Sequence, residues 1–342
     1  MSTFLDAASL RPVARTPIWL MRQAGRSLPE YRKLRERFSL VEIVAQPDLC
    51  AEVTLQPVRR LGVDAAVMFA DIMLPLRGMG VDFELVEEVG PVISTPIAEA
   101  KDVGRLRVPA GEEAAPQVIA AVRRVVAESR VPVVCFSGAP FTLASYLIEG
   151  RPSRDFTKVK RFMYTEPVAF ENLLEKLSAT MAGYLRAQVE AGAAAIQVFD
   201  SWVGALSVED YTDRVLPHTR SLLEALAPLN VPRIHFGTGT AGLLESIASA
   251  GPDLVSLDWR VPLDRGWERV GHRRGVQGNL DPAVLLGPPE LVRERAQDIL
   301  RRAGGRPGHV FNLGHGVLPE TPLENLQLLV ETVHEWEIAR VA

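Results

Sequence analysis

Cysteine is scarce in this chain of 342 residues, where Cys50 and Cys135 are the only two. Two thiols in a chain of this length cannot form the disulfide framework of a small secreted protein. Both have apolar neighbours in the sequence. We therefore predict that they are small, buried, reduced side chains of a protein in a reducing compartment.

Long apolar runs are also missing. A membrane-spanning helix needs about 18 or more consecutive apolar residues, and even residues 139–150 are interrupted by polar groups and include Glu149. Residues 1–15 lack the basic stretch and apolar stretch of a signal peptide. The sequence predicts a soluble protein in the cytoplasm, with no membrane partner.

The chain has no excess of positive charge. It carries 38 Lys and Arg against 42 Asp and Glu, a net charge of −4. Proteins that coat nucleic acid normally have a basic excess, so we predict no nucleic-acid partner. Any anionic ligand must be held by cations that cluster locally.

Motifs for metal sites and serine hydrolases are absent from the sequence. There is no HExxH, no paired-cysteine spacing, no GxSxG, and no cysteine near His235. Residues 237–242 (GTGTAG) do fit the dinucleotide pattern, with Asp258 about 20 residues further on. A Rossmann fold places that turn after its first strand, whereas several predicted strands precede it here. A loop that lets backbone approach a ligand is the favoured interpretation, and we predict no metal and no cofactor.

What the sequence does contain is a series of eight short, continuous apolar runs. Continuous runs, as opposed to alternating ones, are typical of parallel strands that helices cover on both faces. The predicted strands are residues 18–22, 64–70, 131–137, 194–200, 233–237, 254–258, 275–279 and 310–314.

Segments between these runs have helical periodicity, as in residues 171–185 and 323–333. For the second we predict Thr321 as N-cap, with Glu324 completing a capping box. A (β/α)₈ barrel needs roughly 250 residues. We predict an α/β fold, a single-domain TIM-type (β/α)₈ barrel over residues 1–342 with small insertions, such as a hairpin within residues 76–93. A doubly wound sheet is the alternative.

Polar residues stand at or near the ends of the predicted strands. In a parallel barrel these ends share one rim, so residues far apart in sequence can converge there. Some of them can equally cap helices or close turns. The set comprises Arg22, Asp71, Asp200, Ser201, His235, Asp258, Asn279 and His315.

A cation-rich segment near the N-terminus stands out in a chain that is acidic overall. Residues 11–37 contain eight Lys or Arg, including Arg22, Arg26 and Arg35, against the two acids Glu30 and Glu36. Guanidinium groups bind carboxylate or phosphate in bidentate fashion. The segment predicts a site for a small polyanion, and a solvated helix face explains Arg22 poorly because Arg22 ends an apolar run.

Six motifs distributed along the chain are distinctive: residues 15–26 (RTPIWLMRQAGR), 28–32 (LPEYR), 69–72 (FADI), 138–143 (GAPFTL) with Tyr146, 277–282 (QGNLDP) and 312–316 (NLGHG). On these motifs the chain resembles the uroporphyrinogen decarboxylase family. They span most of the chain, and the first is highly specific. Ser27 is a departure, since many family members carry an aromatic residue there.

The resemblance implies a cofactor-free carboxy-lyase of haem biosynthesis that converts the four acetate groups of uroporphyrinogen to methyls, giving coproporphyrinogen. It also implies a (β/α)₈ barrel, a homodimer and a tetrapyrrole substrate. The site residues it implies are Arg22, Arg26, Arg35, Asp71, Tyr146, Ser201 and His315.

This chemistry suits the residues. Asp71 can accept the pyrrole N–H groups and stabilise a cation on the ring, while Arg22 and Arg26 bind side-chain carboxylates. Tyr146, Ser201 and His315 would orient the substrate or relay protons. The proton donor is open, because a guanidinium such as Arg22 is a poor acid.

Three alternatives from other classes remain. A zinc-dependent cobalamin methyltransferase on a related barrel would need a cysteine ligand near His235. A nicotinamide dehydrogenase would bind NAD at residues 237–242. A non-catalytic tetrapyrrole carrier would keep the arginines and release no CO₂.

Overall fold

The computed structural model of the protein describes residues 2–87 and 89–338 and contains nine strands in them. They are β1 Ala66–Val67, β2 Phe83–Val86, β3 Gly90–Ile93, β4 Val133–Gly138, β5 Ala195–Asp200, β6 Arg233–Gly237, β7 Leu254–Ser256, β8 Gly275–Gln277 and β9 His309–Val310.

The helices alternate with the strands along most of the chain. They are α1 Thr3–Ala8, α2 Pro29–Arg35, α3 Leu40–Ala45, α4 Pro47–Leu61, α5 Ala100–Gly104, α6 Pro116–Glu128, α7 Pro140–Glu149, α8 Thr157–Thr165, α9 Pro167–Glu190, α10 Val208–Asp210, α11 Leu216–Leu226, α12 Leu244–Ser249, α13 Leu263–Val270, α14 Pro289–Ala303 and α15 Leu323–Glu335.

Seven of the strands form one parallel sheet in the order β1-β4-β5-β6-β7-β8-β9. Residues 17–19 close this sheet into a barrel. On one side Phe311 donates its backbone N–H to the Pro17 carbonyl at 2.8 Å, and on the other Asp64 donates to the Ile18 carbonyl at 2.8 Å. The predicted TIM-type α/β barrel is confirmed. The doubly wound alternative is wrong, because within the described part of the chain residues 17–19 hydrogen-bond next to both the first and the last strand and leave no open sheet edge.

Two local predictions need correction. Residues 18–22 make only a bridge at Ile18 and not a full strand, because the chain turns at Arg22, whose φ is +61°. Helix α15 begins at Leu323 with Pro322 in the N-cap position. Thr321 therefore lies one residue too early to cap it and is buried instead, at 3% exposure.

Other predictions are confirmed. Strands β2 and β3 pair antiparallel and form the hairpin expected within residues 76–93. Helix α9 covers the predicted helical segment 171–185. Both cysteines are buried free thiols, and burial raises the pKa of Cys50 to about 12.

The interior of the barrel contains a polar layer. Gln277 on β8 donates through Nε2 to Gln197 Oε1 on β5 at 3.0 Å and to Ser256 Oγ on β7 at 2.9 Å. Strands β5 and β8 are not neighbours in the sheet, so the side chains of Gln197 and Gln277 meet across the interior of the barrel. Buried polar groups need such partners, and this layer forms a polar floor below the rim.

Candidate active site

The carboxyl-terminal ends of the parallel strands form one rim of the barrel. Asp71 lies beyond β1, Ser201 directly follows β5, and His315 lies beyond β9. Tyr146 is on α7, the helix after β4. Arg22 comes from the segment that closes the sheet between β9 and β1. Five predicted site residues thus lie at this rim, four after different strands of the barrel and one on the segment that closes it.

Arg22 has a left-handed backbone conformation, with a φ of +61° that non-glycine residues rarely adopt. The turn is fixed from both sides. Buried Gln23 donates through Nε2 to the Ala65 carbonyl at 3.0 Å, and the N–H of Met21 donates to Asn312 Oδ1 at 2.9 Å. The sequence analysis missed Gln23 and Asn312, although both lie inside motifs it quoted.

Asp71 is a carboxylate that is largely surrounded by protein. Its Oδ1 accepts the backbone N–H of Met73 at 2.8 Å. Burial raises the pKa of Asp71 above its ordinary value, although the hydrogen bond from Met73 and the positive charge of Arg22 both lower it. Asp71 and Arg22 are therefore electrostatic neighbours, and desolvation outweighs their attraction.

Tyr146 lies next to these charges. Burial raises the pKa of Tyr146 to about 12; the charge of Asp71 adds to this rise and that of Arg22 opposes it. Its ring packs edge-on against Trp202 with the centroids 5.8 Å apart, and Trp202 directly follows Ser201. Tyr146 is thus a phenol that stays protonated at neutral pH.

His315 is partly buried between two glycines. Burial lowers the pKa of His315 to about 4, and the positive charges of Arg22 and Arg260 lower it further. The imidazole is consequently neutral at neutral pH. We call Arg22, Asp71, Tyr146 and His315 the inner group, because the charge of Arg22 lowers the pKa of each of the other three.

Arg26 and Arg35 form a second, outer group. Both guanidinium groups lie near Glu87 in the β2–β3 turn, with Nη2 to Oε1 distances of 3.4 Å for Arg26 and 3.5 Å for Arg35. Arg26 is on the same loop as Arg22, whereas Arg35 ends α2. The structure therefore places the predicted arginines in two clusters, and no sequence signal pointed to Glu87 as their shared partner.

A buried hydroxyl connects the elements that carry Tyr146 and Ser201. Thr142 on α7 donates through Oγ1 to Asp200 Oδ1 at 2.8 Å and accepts the Trp202 N–H at 3.2 Å. His235 Nε2 lies 3.6 Å from Asp200 Oδ2, and both residues have no exposed surface. His235 and Asp200 thus lie below the rim, and Thr142 ties α7 to the turn after β5.

The dinucleotide-like loop uses its acidic residue internally. Asp258 Oδ2 accepts the N–H of Gly239 at 2.5 Å and the Nη1 of Arg260 at 2.9 Å. A ribose would need that carboxylate to be available. The arrangement argues against the dehydrogenase alternative and reveals Arg260, a rim cation that the sequence analysis missed.

Two further findings concern metals and membranes. Among the described residues, no group of three or more His, Cys, Asp or Glu side chains is arranged to hold a metal ion.

Among the helices of the described residues, none combines the length and apolar composition that crossing a bilayer demands.

Comparison with known proteins bears on the family of this chain. The family model described as uroporphyrinogen decarboxylase (URO-D) matches residues 1–336. The chain is 55% identical to a uroporphyrinogen decarboxylase of Thermus thermophilus, over 97% of both chains. It is 52% identical to one of Carboxydothermus hydrogenoformans, over 97% of this chain and 96% of the other.

Solved structures share the fold. A methyltransferase from Methanosarcina mazei superimposes with a TM-score of 0.83 over 97% of both chains, at 22% identity. A B12-independent methionine synthase from Shewanella sp. W3-18-1 gives a TM-score of 0.57 at 13% identity, over 94% of this chain and 96% of the other. At these identities the matches bear on the barrel architecture alone.

Proposed function

The chain belongs to the uroporphyrinogen decarboxylase family, and from this premise we propose how its rim residues carry out the reaction. Its activity is the decarboxylation of uroporphyrinogen, a carboxy-lyase reaction of haem biosynthesis. The observation that carries the proposed roles is the inner group, in which the charge of Arg22 acts on a desolvated carboxylate, a phenol and a neutral imidazole.

The reaction needs an electron sink next to each acetate group. We propose that protonation of a pyrrole carbon creates that sink within the substrate. The bond from the acetate methylene to its carboxylate breaks, its electron pair enters the ring, and CO₂ leaves. A proton then adds to the exocyclic carbon to form the methyl group, and the ring carbon returns its proton. Each acetate consumes one proton overall, with no cofactor.

Asp71 is the residue that we assign to the ring centre. The pyrrole N–H groups are donors, and the Asp71 carboxylate can accept more than one of them. Burial raises the pKa of Asp71, which means that its ionised form is poorly solvated before substrate binds. Such a carboxylate gains more from a cation that develops on the ring than a hydrated one would.

The other residues serve the periphery of the substrate. Arg22 of the inner group and Arg26 and Arg35 of the outer group bind its carboxylates. The contacts of Arg26 and Arg35 with Glu87 must break when the substrate carboxylates bind. Tyr146 and Ser201 donate hydrogen bonds that orient the ring. His315, with a pKa lowered to about 4, acts at neutral pH as an uncharged hydrogen-bonding partner and not as an imidazolium acid.

Anaerobic incubation with uroporphyrinogen tests this function. The purified chain receives substrate without added cofactor and with a chelator present, and the products are oxidised and separated by carboxyl number. We expect stepwise loss of acetate carboxylates, ending at coproporphyrinogen. Binding of the substrate without any CO₂ release would instead identify a tetrapyrrole carrier and refute the catalytic roles.

We also propose that the chain forms a homodimer and acts in the cytoplasm. The family assignment and the two buried free thiols support these proposals. Sedimentation velocity of the purified chain checks the first, since a monomer at micromolar concentration would contradict it. Fractionation of cells that produce the chain checks the second.

A further inference from the structure

We propose that Arg260 is an additional substrate-binding residue, which forms with Arg22 a carboxylate subsite on either side of His315. The inference rests on the proposed function and extends it, because the motifs that carry the family resemblance do not include position 260. The subsite would take one carboxylate side chain of the macrocycle.

The glycine before His315 brings Arg260 to the site. A Cβ atom at Gly314 would collide with the backbone nitrogen of Trp259. Only a residue without a side chain allows the loop after β7 to approach the loop after β9 this closely. As a result, the Trp259 ring lies edge-on to the His315 ring, with the centroids 6.5 Å apart.

The glycine after His315 does the same for Arg22. A Cβ atom at Gly316 would collide with the Cδ atom of Arg22. The Arg22 side chain therefore packs against the loop after β9 at Gly316, and the Trp259–Arg260 segment packs against the same loop at Gly314. The Gly-His-Gly sequence places His315 between two segments that each carry a guanidinium.

Arg260 is held in place yet remains accessible. Its Cζ lies 4.0 Å from the centroid of the Trp259 ring, and its Nη1 donates to Asp258 Oδ2 at 2.9 Å. Its side chain is 48% exposed. A guanidinium stacked on an aromatic ring and oriented by one carboxylate is preorganised and still offers further N–H donors to a ligand.

The local charge balance favours an anion. Arg22 forms no ion pair among the described residues, and Arg260 shares its charge with Asp258 alone. His315 adds no charge at neutral pH. At the imidazole, the charges of Arg22 and Arg260 outweigh that of Asp258. Asp71, the other acid near Arg22, is assigned to the pyrrole N–H groups, so a substrate carboxylate beside His315 would meet the two guanidinium groups.

The position of Arg260 in the barrel also matches the shape of the substrate. In the ring of seven strands and the closing segment, β7 lies opposite β1. The outer group meets Glu87, which follows β1 through the hairpin, whereas Arg260 follows β7. Guanidinium groups on opposite sides of the rim suit a macrocycle with carboxylates all around its periphery.

The experiment compares Arg260→Gln with Arg260→Lys and with Arg265→Gln. Arg265 is a more exposed arginine that pairs with Glu268 on α13, so its variant removes the same charge away from the site. KM and kcat for uroporphyrinogen are measured anaerobically, and the imidazole of His315 is titrated by NMR. Arg260→Gln should raise KM about tenfold to a hundredfold with kcat changed much less.

The same variant should raise the pKa of His315, because one of the cations that lower it is gone. Arg260→Lys should keep that pKa near the wild-type value and restore part of the affinity. A wild-type KM in Arg260→Gln, or an equal rise in Arg265→Gln, would overturn the inference while leaving wild-type decarboxylation in place. Absence of decarboxylation by the wild type would overturn the proposed function itself.

Discussion

Strand β1 has an aspartate beyond each of its ends, and the pKa values of the two are shifted in opposite directions. Asp64 precedes the strand and accepts hydrogen bonds from Arg15 at 2.6 and 2.9 Å, from the Ile18 N–H at 2.8 Å and from His334 at 2.9 Å. Burial raises its pKa, but these bonds outweigh burial and hold the pKa below its usual value. Asp71 follows the strand, and its pKa is raised.

The difference between these two aspartates reflects a difference in charge pairing between the two ends of the barrel. At the amino-terminal end, charges are satisfied by partners, as in the pairing of Arg233 with Asp253 at 2.8 Å. At the carboxyl-terminal rim, Asp71 has one hydrogen bond and Arg22 has no ion pair among the described residues. Charges kept without full pairing cost stability and remain available for a ligand, which is the usual division between the two faces of a TIM barrel.

Asp71→Asn gives the largest expected effect. The amide keeps the hydrogen bond from Met73 but removes the charge, so we expect turnover to fall by about a hundredfold to a thousandfold. The folded pKa of Asp71 is raised, so its ionisation opposes folding above the unfolded-state value near pH 4. The variant should therefore be at least as stable as the wild type at pH 7. Near-normal turnover would refute the role of Asp71 in stabilising the cation.

Asp64→Asn should have the opposite pair of effects, a loss of stability with little change in activity. Loss of the Arg15 and His334 pairing should lower the free energy of unfolding by about 2–3 kcal/mol, between the values typical of exposed and buried pairs. The specific activity of the folded fraction should stay within about twofold of the wild type. Urea unfolding and active-site-normalised kinetics measure the two quantities.

The stability loss in Asp64→Asn has a defined pH dependence. Because the folded pKa of Asp64 is lowered, its contribution is complete above the unfolded-state pKa of about 3.9 and disappears as pH falls through the lower, folded value. The difference between variant and wild type should be constant from pH 7 to about pH 5 and shrink below about pH 4. A difference independent of pH would show that packing, and not charge, is responsible.

Arg22→Ala tests whether a rim cation that has no ion pair among the described residues serves binding. We expect affinity for uroporphyrinogen to fall about tenfold to a hundredfold, as for loss of a charge-assisted hydrogen bond. The pKa of His315 should rise from about 4, since the charge of Arg22 contributes to lowering it. Arg11→Ala is the matched control, because Arg11 is an exposed partner of Asp6. Unchanged affinity in Arg22→Ala would remove Arg22 from the site.

Thr142→Val extends the comparison from charges to the buried hydroxyl under the rim, and its expected effect is the smallest. The valine removes the donor to Asp200 and the acceptor for Trp202 while keeping the shape. We expect kcat to fall about tenfold or less, since small displacements of Tyr146 and Ser201 slow the reaction. Thr142→Ser should restore it. A valine variant with wild-type kcat would show that Thr142 serves stability alone.

Much of the fold could be predicted because its signals are local. Continuous apolar runs mark most of the buried parallel strands, and the breaks around residues 76–93 mark the hairpin. The boundaries at residues 18–22 and at Thr321 were wrong because they depend on distant contacts. The turn at Arg22 is fixed by Gln23 against Ala65 and by Met21 against Asn312.

The sequence by itself determined the class of the fold, the family and the residue types proposed to bind an anionic ligand, since each follows from patterns along the chain. Only the tertiary structure decided which charges are paired. Barrel closure brings Asp64 to Arg15 and His334, joins Arg26 and Arg35 to Glu87, and sets Arg22 and Arg260 on either side of His315. Desolvation and Coulomb interactions depend on distance in space, so identical aspartates at the two ends of one strand acquire opposite pKa shifts.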